Sequence, residues 1–124
     1  MSDSSAAVPC PGKLLQASDL ERVAAYFQAL GEPTRLQLLQ WLGEGEHTVG
    51  ELAQLCGCSM ANVSRHLALL TRHGLVQREA RGQNAWYRRA DATIDPLCDS
   101  VCDHIQRRMQ RQQGLQAASG KAQD

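Results

Sequence analysis

Apolar residues recur at intervals of three and four between residues 59 and 75, and this spacing predicts an amphipathic helix. The apolar positions on one side are Val63, Leu67 and Leu70. Ser59 can cap the first turn by accepting a backbone N–H bond, and Gly74 can end the helix just after its last turn. The predicted helix therefore has an apolar side that packs against the protein and a polar side that is available to bind a partner.

The polar side of this predicted helix carries groups that suit the major groove of DNA. Its members are Ser59, Asn62, Ser64, Arg65 and His66. Short hydroxyls, an amide and a guanidinium can reach base edges and phosphates, whereas a solvated surface helix would normally carry Glu and Lys there. A core helix with an ordinary polar outer face is the alternative interpretation.

A second, shorter helix is predicted immediately upstream. Thr48 and Glu51 have the spacing of a capping box, and the helix that they open ends at Cys56-Gly57-Cys58. Two helices joined by a tight turn that contains Gly form a helix-turn-helix, in which the second helix reads the DNA.

Two strand-like segments follow, at 75–79 and 85–88, and the polar stretch 81–84 separates them. This pattern predicts a hairpin with a basic, Gly-containing tip. The predicted fold class is therefore mainly α with a small β-hairpin wing, a winged helix-turn-helix. The wing presents Arg81 to a neighbouring groove or to the DNA backbone.

Three further helices complete the prediction. The first begins at a capping box, Ser18 to Glu21, and is ended by Gly31. The second begins at Pro33 and is ended by Gly43. The last has Asp95 as its N-cap and runs to about Arg111. These elements place one winged-helix domain at residues 18–111, between flexible tails at 1–17 and 112–124.

The last predicted helix carries a narrow apolar seam. Its members are Ile94, Leu97, Val101, Ile105 and Met109. Because the preceding elements already supply a core, the seam predicts a partner, most simply the same helix in a second subunit. Packing of the seam on its own domain is the alternative. We therefore expect a homodimer.

The distribution of charge along the chain, rather than its net charge, favours a nucleic-acid partner. The net charge is zero, yet residues 63–89 contain six arginines and a single acid, Glu79, so that this segment is +5 and the remainder −5. A local basic stripe is what binding to phosphates requires, since counterion release supplies much of the affinity.

The composition indicates a cytoplasmic protein. The sequence has no secretory signal and no run of roughly 18 or more apolar residues, so no membrane contact is expected. Five cysteines, an odd number, do not suit a structural disulfide framework. The thiols are therefore interpreted as ligands, redox groups or buried small apolar residues.

The combined motifs resemble the ArsR/SmtB metalloregulatory repressors. The matching segments are LGEPTRLQLLQWL, TVGELA, SMANVSRHLALLTRHGLV and RGQNAWYR, within residues 18 to about 108. The resemblance implies a homodimeric winged helix with its first and last helices at the dimer interface. It also implies an operator-bound repressor that an inducer releases, commonly a metal or metalloid ion. The same resemblance places Arg81 in the wing and four polar residues in the recognition helix: Asn62, Ser64, Arg65 and His66.

Two sensing sites of that family are not intact in this chain. Family members with a soft-metal site near the third helix carry Cys-x-Cys where residues 48–50 are Thr, Val and Gly here. The zinc-type site on the last helix retains Asp91 and His104, but Thr93 and Arg107 occupy its other positions.

The sequence LCDSVCDH on the last helix offers a different candidate site. Cys98 and Cys102 are four residues apart and stack on one helix face, with Asp99, Asp103 and His104 beside them. Two thiolates one turn apart favour a thiophilic ion such as arsenite, cadmium or lead, with further ligands from elsewhere. No ion is required for the fold. Less favoured ligands are Cys10, Cys56, Cys58 and His104. Buried structural cysteines are the alternative.

Enzymatic motifs are missing from the sequence. Cys58 and Arg65 have six residues between them, where a Cys-based phosphatase or arsenate reductase needs five and a Gly-rich loop. The predicted function is thus an operator-binding repressor with a thiophilic inducer. A redox- or persulfide-responsive repressor of the same fold is the second hypothesis. A winged-helix module for protein interaction is a third, from another class.

Overall fold

The computed structural model describes the backbone of residues 15–123 and the side chains of residues 15–115. Five helices and three strands lie within that range, which confirms the predicted α fold with a hairpin wing. They are α1 (Ala17–Leu30), α2 (Pro33–Leu42), β1 (His47–Thr48), α3 (Val49–Cys56), α4 (Met60–Arg72), β2 (Val76–Arg81), β3 (Asn84–Arg89) and α5 (Ile94–Gln123). The chain divides into two units, one ending at Ala90 and the other beginning at Asp91.

The core of the first unit is made by the apolar positions of the predicted helices. Its most deeply buried side chains, all at most 2% exposed, are Leu38, Leu39, Leu52, Val63, Leu67, Leu70, Leu75 and Val76. Burying one such side chain completely is worth about 1.5–3 kcal/mol. The packing side that the sequence predicts for α4 is therefore confirmed.

Local capping fixes both helices of the helix-turn-helix, as predicted. The hydroxyl of Thr48 accepts from the Glu51 amide at 3.2 Å, and the Glu51 carboxylate accepts from the Thr48 amide at 3.1 Å. The hydroxyl of Ser59 accepts from the Asn62 amide at 3.1 Å. Helix α4 ends at Arg72 with His73 as its C-cap, and Gly74 follows with a φ of 75°, the left-handed conformation that glycine adopts without strain.

The predicted capping box at the start of α1 is wrong. The N-cap is Gln16, whose side chain makes no capping bond, and its carbonyl accepts from the Leu20 amide at 2.9 Å. Ser18 already lies inside the first turn, so its hydroxyl is not at the capping position. The predicted start of α2 is correct: Pro33 is its first residue, and the Glu32 side chain accepts from the Thr34 amide at 2.9 Å.

The sheet has three antiparallel strands in the order β1-β3-β2. The hairpin register runs from Val76 opposite Arg89 to Arg81 opposite Asn84, which leaves a two-residue loop at Gly82-Gln83. The φ of Gly82 is 61°, as the first position of the favoured two-residue loops requires. The strand β1, which pairs with β3, is absent from the sequence prediction because two residues are too short to show alternation.

The second unit is the helix α5, and both predicted ends of this helix are wrong. It begins one residue before the predicted N-cap Asp95, and the Thr93 carbonyl accepts from the Leu97 amide at 3.3 Å. It does not end near Arg111 but continues through Gly114 to Gln123. One glycine costs a helix only about 1 kcal/mol, and the residues after it favour helix.

The predicted domain boundaries depend on the same chain ends. Residues 112–123 are helical rather than without secondary structure, and Ala17 belongs to α1. Residues 1–14 of the predicted N-terminal tail lie outside the described residues. Flexibility of the tails and the domain limits 18–111 stay predictions. No helix in the described part of the chain has the length and hydropathy that crossing a membrane requires.

Candidate nucleic-acid interface and thiol positions

The N-terminal half of α4 exposes most of the residues that the sequence predicts for DNA contact. Ser64 and Arg65 are exposed, and Asn62 is half-buried. The Arg65 guanidinium donates to the Asn62 side-chain oxygen, so these two side chains orient each other. Ser59 is exposed, but its hydroxyl oxygen is engaged in the cap. Within residues 15–115, no carboxylate pairs with Arg65.

His66 does not share this exposed face, because its ring is turned toward α2. Its Nε2 atom lies 3.2 Å from Oε2 of Glu32, its Nδ1 atom lies 3.3 Å from the Arg35 guanidinium, and the side chain is 15% exposed. The predicted base-contacting role therefore gives way to a role in joining α4 to α2.

The Glu32 carboxylate serves two elements at once. Its Oε1 atom caps α2 through Thr34, while the Oε2 atom is buried and, among the described residues, receives no well-directed hydrogen bond. The Glu32 carboxylate and the His66 ring are thus in contact at 3.2 Å, without the geometry of a directed hydrogen bond. The amide of Thr34 lowers the pKa of Glu32, burial raises it, and the nearby charges of His66 and Arg35 lower it further. The net effect favours the ionised carboxylate.

Arg35 connects the same region to α1. Its guanidinium donates to the carbonyl of Ala29 at 2.6 Å and to the carbonyl of Gln28 at 3.0 Å. These carbonyls belong to the last turn of α1, where a positive charge is favoured by the helix dipole. Arg35 therefore stabilises the α1–α2 corner that supports α4, and it is not a surface cation.

Arg81, the predicted contact of the wing, is held by two carboxylates. Its Nε and Nη2 atoms donate to Glu79 at 3.1 and 2.7 Å, and Nη2 also donates to Glu46 at 2.9 Å. The guanidinium carbon lies 5.6 Å from the centroid of the Trp86 ring. The hydrogen bond from Arg81 is the main reason that the pKa of Glu46 is lowered.

A second wing arginine joins the same group. Arg88 donates to Gln77 at 3.0 Å, and one of its nitrogens lies 3.4 Å from Glu79 and 3.6 Å from Glu46. The resulting wing cluster has two acids and two bases and no net charge. Its members are Glu46, Glu79, Arg81 and Arg88.

Sequence reasoning missed Glu46 because it lies 35 residues from Arg81. The pairing of His47 with Tyr87 in the sheet brings the end of the α2–β1 loop alongside the wing. No local motif marks that approach. The only available signal was an acid directly before a short His-Thr segment.

The basic segment is consequently less positive than its composition predicts. Arg89 donates to the Leu39 carbonyl at 2.7 Å and contributes to the core side of the wing. The arginines of the segment that remain exposed, without a carboxylate partner among the described residues, are Arg65, Arg72 and Arg78. Three of the six arginines of the segment are therefore available to phosphates before any rearrangement.

The candidate ligands on α5 are accessible but few. Cys98 is half-buried, Cys102 is exposed, and both are reduced. Asp99, Asp103 and His104 are exposed on the same helix. No group of three or more His, Cys, Asp or Glu residues arranged to hold a metal ion occurs in the described part of the chain. The cysteine pair therefore supplies two ligands by itself, and Cys10 lies outside the described residues.

The cysteines of the helix-turn-helix turn are weaker candidates. Burial raises the pKa of the Cys56 thiol, and the neighbouring Cys58 raises it further. The Cys58 thiol lies 3.6 Å from the Cys56 carbonyl, its hydrogen-bond acceptor. Because the thiolate is the metal-binding form, the raised pKa of Cys56 disfavours ligation by that sulfur.

Known proteins resemble this chain in both sequence and structure. The helix-turn-helix domain family matches residues 30–79. A probable mercury resistance operon repressor from Streptomyces lividans is 34% identical over 94 residues, which cover 76% of this chain and 70% of the relative. The HTH-type transcriptional regulator NmtR from Mycobacterium tuberculosis is 33% identical over 89 residues, 72% of this chain and 74% of the relative.

A solved structure agrees with these relatives. It is the homodimeric winged helix-turn-helix DNA-binding domain of a possible ArsR-family transcriptional regulator from Mycobacterium bovis. It superposes with a TM-score of 0.67 at 31% identity, covering 79% of this chain and 95% of that domain.

Proposed function

Because this chain belongs to the ArsR/SmtB family of winged-helix repressors, we propose that it binds an operator as a homodimer and releases it when a thiophilic ion binds Cys98 and Cys102. The protein is a DNA-binding transcriptional repressor of that type and not an enzyme. The operator, the dimer and the inducer are the parts that need testing.

The exposed N-terminal face of α4 is the observation that supports DNA reading. Arg65 is oriented by Asn62 and pairs with no carboxylate among the described residues, so its guanidinium can bind a guanine edge or a phosphate. Ser64 lies beside it and can hydrogen-bond to a base edge or a phosphate. His66 is left out of this set, since it faces Glu32.

Exposed apolar side chains support the homodimer. Val101, Ile105 and Met109 on α5 are each about half exposed, between 48% and 53%. Leu20 and Phe27 on α1 are exposed to the same extent. Burying such rows against a second copy would remove them from water, and two-fold pairing is the simplest closed arrangement.

The operator and the dimer can be tested together. Binding sites are selected from a random duplex library, and affinity for the selected duplex is measured against salt concentration by fluorescence anisotropy. We expect an inverted repeat whose half-sites lie about one helical turn or a multiple of it apart, with affinity that falls steeply as salt rises. A protein that sediments only as a monomer at micromolar concentration would contradict the dimer.

The cysteine pair on α5 is the proposed inducer site. Helical stacking places the two thiols one turn apart, and soft thiolate ligands select soft ions over magnesium or manganese. The name of the Streptomyces relative points to the same ion class, since it refers to mercury resistance. Remaining ligands would come from Cys10, a partner subunit or solvent. An ion at this position lies beside the proposed dimer seam, where it can favour one dimer geometry over another.

Two double variants separate the candidate thiols. Native mass spectrometry of the reduced protein with Hg²⁺, arsenite, Cd²⁺ and Pb²⁺ identifies the bound ion, with Mg²⁺ as a negative control. Cys98→Ser with Cys102→Ser should bind the selected duplex normally but no longer release it when that ion is added. Cys56→Ser with Cys58→Ser is the matched control and should release as the wild type does. Normal release by the first variant would exclude the α5 pair.

Thiol oxidation is the second candidate, favoured by the exposure of Cys102. A helical spacing of four residues meets the Cα separation of about 7 Å that a disulfide needs, but it permits the bond only with difficulty because the Cβ vectors must also converge. Release by an oxidant or a persulfide donor in the presence of a chelator, reversed by dithiothreitol, would favour this mechanism over ion binding.

A further inference from the structure

We propose that Glu46 and Glu79 compete with DNA phosphates for Arg81 and Arg88, and so limit the affinity of the wing for DNA of any sequence. This inference rests on the proposed DNA-binding function and concerns how strongly the same surface binds. It assigns Glu46, a loop residue, a role in DNA binding that opposes that of the arginines.

The geometry of Arg81 supports the competition. Its Nε and Nη2 atoms form one edge of the planar guanidinium, and both donate to carboxylate oxygens at 2.7–3.1 Å. A phosphate group is bound through the same donors in the same plane. Carboxylate and phosphate therefore cannot both occupy this edge, and DNA can gain the contact only by displacing an acid.

The exposure of the wing cluster makes the displacement feasible. Its four side chains are between 36% and 51% exposed, so each ion pair is a surface pair of small net worth. The Arg81 guanidinium carbon also lies 5.6 Å from the centroid of the Trp86 ring, a cation–π contact that a change of anion need not break. The cluster is thus a ready phosphate-binding arrangement that internal carboxylates occupy in the free protein.

The zero net charge of the wing cluster also affects how the protein approaches DNA before contact is made. Two acids and two bases cancel, so the wing adds no net attraction for DNA before contact is made. Approach to DNA then depends on the exposed arginines Arg65, Arg72 and Arg78. The carboxylates consequently weaken association with every duplex, whatever its sequence.

The test compares acids of equal charge in different surroundings. Glu46→Gln and Glu79→Gln remove one competitor each, while Glu44→Gln removes the same charge from the same loop as Glu46. Glu44 makes no ion pair within residues 15–115, so this variant measures the effect of charge alone. Affinity for a random-sequence duplex is measured by fluorescence anisotropy over a range of salt concentrations, in the wild type and in an Arg81→Ala, Arg88→Ala background.

We expect Glu46→Gln and Glu79→Gln each to bind about threefold to fivefold more tightly than Glu44→Gln does. The slope of log affinity against log salt should steepen by about 0.9 for each phosphate contact that is gained. In the background without the two arginines, all three variants should show the same small gain.

Three other outcomes would overturn this proposal, each for a different reason. Equal affinities for Glu46→Gln and Glu44→Gln in the wild-type background would overturn the competition while leaving DNA binding intact. A larger gain for Glu46→Gln that persists without the arginines would also overturn it, in favour of direct repulsion between Glu46 and DNA. If wild-type protein binds no duplex even at low salt, the proposed function fails and this inference fails with it.

Discussion

Helix α4, the proposed recognition helix, and the β2–β3 wing both expose arginine, but they hold it in opposite ways. Helix α4 is fixed by fully buried Val63, Leu67 and Leu70, and its Arg65 has no acidic partner among the described residues. The wing is mostly exposed, and its Arg81 is paired with Glu46 and Glu79. Helix α4 is anchored by buried side chains and its arginine charge is available, while the wing is mostly exposed and its arginine charge is compensated.

This difference indicates which element can provide sequence specificity for DNA and which can provide general affinity. A base edge is read only by a side chain whose backbone is held in place, since a shift of the helix would lose the hydrogen bonds. Phosphates recur along any duplex, so a wing that must exchange partners on contact can tolerate movement. We therefore propose that α4 reads the DNA sequence and that the wing binds the DNA backbone.

The anchoring of α4 should produce the largest effect. Leu67→Ala removes a fully buried side chain and should lower the free energy of unfolding by about 3 kcal/mol. Met60→Ala on the same helix is the control, because Met60 is 59% exposed and should cost below about 0.5 kcal/mol. Urea denaturation followed by circular dichroism measures both. Similar losses for the two variants would contradict a core-anchored recognition helix.

The loss of base reading should come next. Arg65→Ala should weaken binding to the selected operator by about 1–3 kcal/mol if its guanidinium contacts a base through two hydrogen bonds. Arg72→Ala, on the last turn of the same helix, should weaken operator and random duplex alike. Anisotropy titrations with both duplexes separate the two roles. An Arg65→Ala loss of equal size on random DNA would assign this side chain to phosphate instead.

The wing should show a smaller effect that does not depend on sequence. Arg81→Ala should weaken binding to operator and random duplex by a similar factor, about fivefold, and reduce the salt slope by about 1. Stability should change by less than about 1 kcal/mol, since the ion pairs are exposed. Discrimination between operator and random duplex that falls in Arg81→Ala would show that the wing reads sequence, which would remove the contrast with α4.

The smallest effect is expected for Glu32, whose carboxylate contacts His66 of α4. The pKa of Glu32 in the folded protein is below its ordinary value of 4.5, so the ionised carboxylate stabilises the fold above that value. This stabilisation is lost as pH falls through the lowered pKa. The stability difference between wild type and Glu32→Gln should thus be on the order of 0.5 kcal/mol at neutral pH and disappear at an acidic pH below the lowered pKa of Glu32.

Comparison with a matched variant isolates this effect from the other carboxylates that titrate in the same range. Glu44→Gln should show no such change in its difference from wild type between the two pH values. A Glu32→Gln difference that grows on acidification would mean that the protonated carboxyl, rather than the carboxylate, stabilises the α2–α4 contact.

Local chemistry made much of the fold predictable. The Thr48 and Ser59 caps, the glycine after α4 and the apolar positions of that helix depend on residues within one or two turns of each other. Such features can be recognised in a sequence because the interacting groups are neighbours in the chain. The capping box predicted at Ser18 shows the limit of such local recognition. The motif is present in the sequence, but the helix begins one residue earlier, at Ala17, so Ser18 is not at the capping position.

Long-range contacts explain what the sequence could not predict at the candidate site. His66 has the spacing of a groove-facing residue, but its ring instead contacts Glu32, the N-cap of α2, and Arg35 in α2. Arg81 appeared to be an available cation until the α2–β1 loop placed Glu46 against it. In both cases the side chain contacts an acid that lies more than thirty residues away in the sequence. A local sequence pattern does not reveal such a partner, which decides what the side chain can bind.

The two-residue strand β1 makes the wing and the helix-turn-helix one cooperative unit. Thr48 pairs with Trp86 on the wing and at the same time caps α3. A local opening event that detaches β3 from β1 therefore also disturbs the residue that holds the first turn of α3. Amide protons on the two sides of this junction should exchange with solvent in shared openings, so that the mobility of the wing is governed by the helices rather than by the hairpin alone.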